Sequence, residues 1–305
     1  MSEPIAWLNG QLIPYSQASV PVWDMGVVAG ASVTEMARTF SKKPFRISQH
    51  LDRLLDSLSK IGFPKQYEKQ ELLQAIDDVL AHNLPLIHDA SDLGIVIFST
   101  AGPNPTYLGP QGAKQTSATT AVHTFELPFE TWRQQFRDGV RLQISNYRQI
   151  PGECFDVTLK VRNRLHWWLA DHEAAMQEPG SKALLLDHAG FITETSTAAL
   201  HLVCNDRIIT PDFGVLHSLS SQLVEEFATK LGISFERRPV PLGEVRYASE
   251  AFLSSSAATL LPVSHIGGER IGGEKSRSTF PGPVFSLMTT AWSQLVGMDI
   301  AQQLL

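Results

Sequence analysis

Two charged residues, Lys160 and Glu194, stand out because each falls inside a predicted regular element of the chain. Lys160 lies in the alternating, β-branched run DVTLKV, which predicts a strand, and the apolar spacing in NRLHWWLADHEAAM predicts a helix directly after it. Glu194 lies in FITETST, which together with ALLLD and a His-Ala-Gly turn predicts a hairpin. The sequence therefore predicts an amine and a carboxylate on rigid elements about one supersecondary unit apart.

This pair of residues permits two interpretations. A lysine near apolar surface and the cations Arg162 and Arg164 can form a Schiff base, and a carboxylate can hold the protonated ring nitrogen of pyridoxal phosphate. Alternatively, both are strand residues that face solvent, as most charged side chains do. Taken alone, the two residues favour the second interpretation.

Longer sequence motifs favour the first interpretation, in which Lys160 forms a Schiff base. LKVRNRL and, downstream, GFITETSTAALHLV resemble the class IV (fold-type IV) pyridoxal-phosphate-dependent aminotransferases, a group that contains branched-chain aminotransferases, D-amino acid aminotransferases and aminodeoxychorismate lyases. The resemblance extends from WLNGQLIP near the start to FLSSSAATLLPV near the end. It implies an α/β (α+β) fold with a smaller N-terminal α/β domain, residues 1–125, and a larger C-terminal pseudo-barrel domain, residues 126–305, which carries the Schiff-base lysine.

The resemblance also implies pyridoxal 5′-phosphate as the cofactor and assigns residues to it. Lys160 would form the Schiff base and act as general base and acid, Glu194 would keep the ring nitrogen protonated, and Arg164 would lie beside the phenolic oxygen. The phosphate would be held by a second set of groups: Arg53, Ser220, Ser256 and the backbone at Leu219 and Ala257.

Two of the phosphate-binding assignments have a physical basis in the residues themselves. Arg53 lies in HLDRLLDS, and the planar fork of an arginine suits a phosphate dianion. The helix predicted for SLSSQLVEEFATKLG begins with a serine cluster, and free N–H groups at a helix start bind anions. A solvated helix arginine and a plain serine N-cap are the alternative interpretations.

Departures from the family pattern bear on the substrate. Ala101 stands where D-amino acid aminotransferases place the arginine that holds the substrate carboxylate, and Thr34 stands where several members place an aromatic residue. Together with Arg38 in the strand SVTEMARTF, these positions are predicted to line the substrate pocket. Any substrate carboxylate must therefore be held by a group other than that arginine.

Three functions are compatible with these motifs. The preferred one is an aminotransferase that moves an amino group between a branched-chain L- or D-amino acid and a 2-oxo acid, which the strand VTEMAR with Glu35 favours. The second is an aminodeoxychorismate lyase, forming 4-aminobenzoate and pyruvate, which the pattern Lys160, Asn163 and Arg164 favours. The third is a catalytically inactive binding module, suggested by departures such as Ala101.

Composition narrows the class of protein. The 305 residues are 43% hydrophobic and 18% charged with a net charge of -6, which is typical of a globular protein and indicates neither nucleic-acid nor membrane binding. No apolar run has the length of a membrane span, and MSEPIAWLNG does not have the pattern of a signal peptide. Cys154 and Cys204 make no disulfide framework, which predicts a cytoplasmic location. No metal site is predicted, and the resemblance implies a homodimer.

Three local predictions complete the sequence-based expectations. Asn9 and Gly10 in IAWLNGQLI predict a type I′ hairpin turn. Ser48 is predicted to be the N-cap of a helix that ends at Gly62. The run AGPNPTYLGPQGAKQTSATT is predicted to be a loop because it is rich in glycine, proline and threonine.

Overall fold

The computed structural model describes residues 3–112, 117–273 and 280–304, without the side chains of residues 109–112. The chain forms two compact units, one made of Met1–Leu127 with Leu159–Asn163 and the other of Pro128–Thr158 with Arg164–Leu305. The sequence placed Lys160 in the C-terminal domain, whereas in the structure its segment belongs to the first unit. The reason is pairing with a distant strand, because Thr34 N donates a hydrogen bond to Lys160 O at 2.8 Å.

The first unit contains an antiparallel sheet with two long helices. Its described elements are β1 (Ile5–Leu8), β2 (Gln11–Pro14), α1 (Met25–Val28), β3 (Ser32–Phe40), β4 (Lys43–Pro44), α2 (Ile47–Ile61), α3 (Lys69–Asn83), β5 (Leu93–Thr100), α4 (Pro105–Gly112) and β6 (Thr120–Glu126). The strands of the sheet follow the order β2-β1-β6-β5-β3-β4. The predicted hairpin is confirmed, since Asn9 and Gly10 have φ values of 49° and 89° and the flanking strands pair antiparallel.

The core of this unit lies on one face of the sheet. Leucines of α2, including Leu51 and Leu54, pack with α3 against Val33 and Ala37 of β3. Because side chains alternate along a strand, the intervening residue Thr34 projects to the opposite face of the sheet. One face of β3 therefore packs in the core beneath α2 and α3, and the face that bears Thr34 lies outside that core.

The second unit is built around a larger mixed sheet. Its described elements are α5 (Phe129–Asp138), β7 (Val140–Arg148), α6 (Leu165–Gln177), β8 (Lys182–Leu186), β9 (Phe191–Thr195), β10 (Ala199–Cys204), β11 (Arg207–Thr210), α7 (Leu219–Leu231), β12 (Ser234–Arg237), β13 (Val240–Pro241), β14 (Glu250–Ser255), β15 (Thr259–Ile266), β16 (Glu269–Arg270), α8 (Pro283–Val296) and α9 (Ile300–Gln303). The strand order is β12-β11-β10-β14-β15-β7-β8-β9-β13, and β16 pairs with β15. The predicted hairpin that carries Glu194 is confirmed as β8 and β9, which pair antiparallel.

Three local predictions were wrong in part. DVTLKV is not a strand, because the Asp156 carboxylate accepts hydrogen bonds from the backbone N–H of Thr158 (2.9 Å) and from its hydroxyl (2.6 Å), which turns the chain just before Lys160. α2 begins at Ile47, and Arg46 in a left-handed conformation takes the N-cap position in place of Ser48. The predicted loop after β5 contains α4, while residues 113–116 of it lie outside the described residues.

The last long helix, α8, packs through Phe285, Met288 and Trp292, all buried. Glu250 of β14 holds its start, since its carboxylate accepts hydrogen bonds from Val284 N and Phe285 N, each at 2.9 Å. Among the residues that the structure describes, no helix combines the length and the apolar composition that crossing a bilayer requires.

Candidate functional site

Lys160 is carried by a short segment paired with the edge of β3. Val161 and Val33 form an antiparallel bridge, and both pack against the helix-covered core. Thr34 N donates to Lys160 O, so Thr34 and Lys160 lie opposite each other and project to the same side of the sheet. The backbone therefore directs Lys160 to the face of the sheet away from α2 and α3.

The same face carries an aromatic ring and a second cation. Phe98 of β5 pairs with Thr34, and the Arg162 guanidinium lies over the Phe98 ring, 4.5 Å from its centroid. His123 of β6 also projects to this face, and its Nδ1 is buried without a hydrogen-bond partner among the described residues. Burial, aided by the nearby Arg162, lowers the pKa of His123, so its imidazole is neutral at pH 7.

On the helix-covered side, Glu35 binds two partners from α2. Its carboxylate accepts hydrogen bonds from Arg53 Nε (2.6 Å) and Nη2 (2.9 Å), and its Oε2 lies 2.7 Å from His50 Nδ1. Burial alone would raise the pKa of Glu35, but the hydrogen bonds from His50 and Arg53 outweigh it and hold the pKa at about 2. Burial lowers the pKa of His50 despite the nearby carboxylate, so His50 donates its Nδ1 proton as a neutral imidazole.

This cluster bears on the predicted role of Arg53. Glu35 engages one edge of the guanidinium through two hydrogen bonds, which fixes the plane of the Arg53 fork. The sequence did not indicate His50 as a partner, although its three-residue spacing from Arg53 places both on one face of a helix. The phosphate-binding role of Arg53 stays a prediction.

Arg38, predicted to line the substrate pocket, is only 2% exposed. Its Nη2 lies 3.6 Å from Asp92 Oδ2, its Nε donates to Thr39 O at 2.9 Å, and its guanidinium stacks over Phe40. Burial lowers its pKa to about 10, and Asp92 opposes that shift. These contacts argue for a structural role at the end of β3 instead of the predicted contact with substrate.

The other two predicted pocket residues lie at the ends of neighbouring strands. The Thr34 hydroxyl donates to Ile97 O at 3.0 Å, so this side chain is tied to β5. Ala101 follows β5 directly, and its backbone N–H donates to Ala31 O at 3.0 Å. Antiparallel pairing of β3 with β5 thus brings the start of one strand to the end of the other.

In the second unit, Glu194 is held in a defined orientation on β9. Its Oε1 accepts hydrogen bonds from Leu216 N at 3.0 Å and from Gln149 Nε2 at 3.4 Å. Gln149 is buried and also donates to Gly214 O at 2.9 Å. The sequence did not indicate Gln149, because it lies in the irregular segment after β7 and belongs to no motif.

Arg164 immediately precedes α6 and is a neighbour of Glu194 in the second unit. Its Nη2 donates to Ser196 O, and its guanidinium lies 5.9 Å from the centroid of the Trp167 ring. Burial lowers the pKa of Arg164, while the charges of Glu194 and Asp171 oppose that shift. The Arg164 guanidinium at the start of α6 is therefore within electrostatic range of the Glu194 carboxylate.

The start of α7 has the properties of an anion site. Ser218 is the N-cap, its hydroxyl accepts a hydrogen bond from Ser221 N at 3.3 Å, and its Oγ lies 2.6 Å from Ser220 Oγ. Leu219 and Ser220 are the first two helical residues and both are buried. First-turn N–H groups project from the helix start and carry the positive end of the dipole, so this donor set suits a phosphate.

Ser256 and Ala257 lie in the tight turn that joins β14 to β15. The turn is closed by a hydrogen bond from Ala258 N to Ser255 Oγ at 3.1 Å, and Ala257 is buried. Pairing of Ser255 with Thr259 fixes both ends of the turn. The turn thus holds Ser256 and Ala257 on a rigid support, and their phosphate-binding role stays a prediction.

Comparison with known proteins identifies the family. The sequence model of the amino-transferase class IV family matches residues 32–266, and the chain belongs to that family. The chain is 28% identical to branched-chain-amino-acid aminotransferase-like protein 2 of Arabidopsis thaliana, over 95% of this chain and 50% of that protein. It is 25% identical to the D-alanine aminotransferase of Bacillus licheniformis, over 96% of this chain and 98% of that protein.

Solved structures confirm the predicted fold. The branched-chain amino acid aminotransferase of Thermobaculum terrenum, solved in its PLP-form, is 23% identical and superimposes with a TM-score of 0.82 over 99% of this chain and 97% of that chain. The chain spans about half the length of the Arabidopsis relative but nearly all of the Bacillus one. The predicted class IV resemblance and the two-domain fold-type IV architecture are thereby confirmed.

Proposed function

We propose that this protein is a pyridoxal-phosphate-dependent aminotransferase that transfers an amino group between an amino acid and a 2-oxo acid. The observation that carries this proposal is Lys160, whose backbone is bonded to β3 and whose side chain is directed to the sheet face that also bears Thr34 and Phe98. The class IV family match and a structural neighbour solved in its PLP-form support the cofactor. Branched-chain L-amino acids and D-alanine are the substrate classes that the names of the relatives suggest.

The residues of the chain fit this cofactor chemically. When bound, pyridoxal phosphate supplies an electron sink for charge that develops at the substrate Cα. Lys160 Nζ would bind the cofactor covalently and, once displaced by the substrate amine, would take the proton from the substrate Cα. Glu194, oriented by Leu216 N and Gln149, would hold a proton on the ring nitrogen, and Arg164 would lie beside the phenolic oxygen.

The proposed phosphate contacts combine side chains with backbone donors. The start of α7 would supply the N–H groups of Leu219 and Ser220 and the Ser220 hydroxyl, and the β14–β15 turn would supply Ser256 and the Ala257 N–H. Arg53, whose guanidinium plane is oriented by Glu35, is the further side chain that we propose for the phosphate. Because rigid contacts would hold the phosphate, the ring would already be oriented before the reaction begins.

The covalent role of Lys160 can be tested directly. The protein loaded with pyridoxal phosphate is reduced with borohydride, digested and analysed by mass spectrometry. We expect a phosphopyridoxyl mass on Lys160 and on no other lysine, because Lys160 is the lysine of the class IV motif and its main chain is held against β3. Modification distributed over surface lysines such as Lys65, with Lys160 unmodified, would contradict the proposed function.

Absorbance spectroscopy with single amino acids identifies the reaction. We expect the visible band of the loaded protein to bleach with amino acids of one chirality and to return when a 2-oxo acid is added. A band that no amino acid changes would favour the alternative function, an aminodeoxychorismate lyase, for which Lys160, Asn163 and Arg164 supply the matching pattern. Release of pyruvate from aminodeoxychorismate would then be measured.

We further propose a homodimer in the cytoplasm. Leu165, Trp168 and Met176 are exposed on α6 by 65%, 61% and 75%, and the planar stacking of Trp168 on His172 extends this surface. Exposed apolar stripes of this kind are typical of interfaces. Cys154 and Cys204 are both free, in keeping with a reducing compartment. Light scattering should give twice the mass of 33.7 kDa for the chain.

A further inference from the structure

Arg162 carries a guanidinium that has no anionic partner within the described part of the chain. It is exposed, it stacks on Phe98, and no carboxylate or carbonyl oxygen of the described residues accepts a hydrogen bond from its side chain. Burial of part of the side chain lowers its pKa, and no carboxylate among those residues raises it. Stacking fixes the plane of the guanidinium while leaving its N–H edge available to a ligand.

The position of Arg162 relative to Lys160 is set by the backbone. Thr34 N donates to Lys160 O and Arg162 N donates to Ser32 O at 3.2 Å, so both residues belong to one extended segment. Residues two apart on such a segment project to the same face, about 6 to 7 Å apart at Cα. In an amino acid the carboxyl carbon is two bonds from the amine, so a residue that binds the carboxylate must lie near the lysine that handles the amine.

The surroundings of Arg162 favour an anion. His123 contributes a neutral imidazole whose buried Nδ1 is unpartnered among the described residues, and Thr34 contributes a hydroxyl already bonded to Ile97 O. Arg38, another arginine of this region, is paired with Asp92. This chain has Ala101 at the position after β5 where D-amino acid aminotransferases have an arginine that binds the substrate carboxylate. Arg162 is a candidate of the first unit for that role.

We propose that Arg162 binds a carboxylate of the amino-acid substrate, taking the role that Ala101 cannot perform. This inference rests on the proposed aminotransferase function. Its fork would hold the carboxylate through two parallel N–H···O bonds, with the Phe98 ring behind the guanidinium. The chemistry is the same for the α-carboxylate and for the side-chain carboxylate of an acidic substrate, and the experiment separates these two sources.

The test uses the holoenzyme with Arg162→Gln, Arg162→Lys and, as a matched control, the exposed Arg133→Gln on α5. We expect Arg162→Gln to raise KM for leucine or glutamate about 10- to 100-fold with a smaller change in kcat, because a charged hydrogen-bonded pair is lost. Arg162→Lys should raise KM by an intermediate factor, since lysine keeps the positive charge but lacks the planar fork of the guanidinium. Isopentylamine, which has no carboxylate, should bind equally to all variants.

Binding without turnover provides an independent readout. Calorimetry with 4-methylvalerate and with glutarate should show a dissociation constant raised by a similar factor in Arg162→Gln and unchanged in Arg133→Gln. Effects on leucine and 4-methylvalerate identify the α-carboxylate, whereas effects on glutamate and glutarate alone identify the side-chain carboxylate. Unchanged KM values and unchanged binding of both acids would overturn the inference. Absence of turnover in the wild type would instead contradict the proposed function, and the calorimetry would still decide the role of Arg162.

Discussion

Lys160→Ala is expected to lower kcat by about 10²- to 10⁴-fold, which is the usual contribution of a positioned acid–base group, without destabilising the fold. The segment is held by the Thr34 N–H and by the Val33–Val161 bridge, both of which use backbone atoms that alanine retains. Steady-state rates with a responsive amino acid measure the loss, and thermal unfolding measures the stability. The exposed Lys65→Ala should match the wild type in both.

A second measurement separates the chemical role of Lys160 from a structural one. Lys160→Ala should still bind pyridoxal phosphate, but borohydride should no longer attach it to the chain. A small primary amine added to the buffer should restore part of the rate, because the missing group is an amine that moves a proton. Full turnover in Lys160→Ala would refute the proposed mechanism, whereas an unfolded variant would fail the thermal comparison and be replaced by Lys160→Arg.

Glu35→Gln is expected to destabilise the protein by about 3 to 5 kcal/mol, the usual result when one partner of a buried ion pair is removed. The carboxylate is fully buried and accepts two hydrogen bonds from Arg53, so glutamine leaves the guanidinium without its counter-charge. Denaturant unfolding at pH 7 measures the effect. The control Asp56→Asn, on the helix α2 that carries Arg53, breaks an exposed pair with Lys60 and should cost less than about 1 kcal/mol.

The stabilisation that the Glu35–Arg53 pair provides is expected to decrease as the pH falls. The pKa of Glu35 is lowered from 4.5 to about 2 in the folded protein, so the unfolded chain takes up a proton first as the pH falls. The stabilisation is therefore complete above pH 4.5 and decreases as the pH falls toward 2. The difference in unfolding free energy between the wild type and Glu35→Gln should shrink over that window. A difference that stays constant as the pH is lowered from neutral through that window would show that Glu35 is not ionised in the pair.

Local features of the chain were largely determined by the sequence. Asn9-Gly10 specifies a turn with two positive φ values, and the hairpin that carries Glu194 follows from alternating residues around a glycine turn. The serine N-cap of α7 likewise depends on neighbours in sequence. The class IV motifs, which span most of the chain, identified the family before any geometry was known.

Only the tertiary structure determined the contacts between residues that are distant in sequence. The attachment of Lys160 to β3 joins positions far apart along the chain, and local periodicity, which predicted a strand there, holds no information about such pairing. The burial of Arg38 against Asp92 and the stacking of Arg162 on Phe98 depend in the same way on strand register. Thus the sequence determined which chemical groups the protein carries, and the pairing of β3 with a distant segment decided which of them face the same side as Lys160.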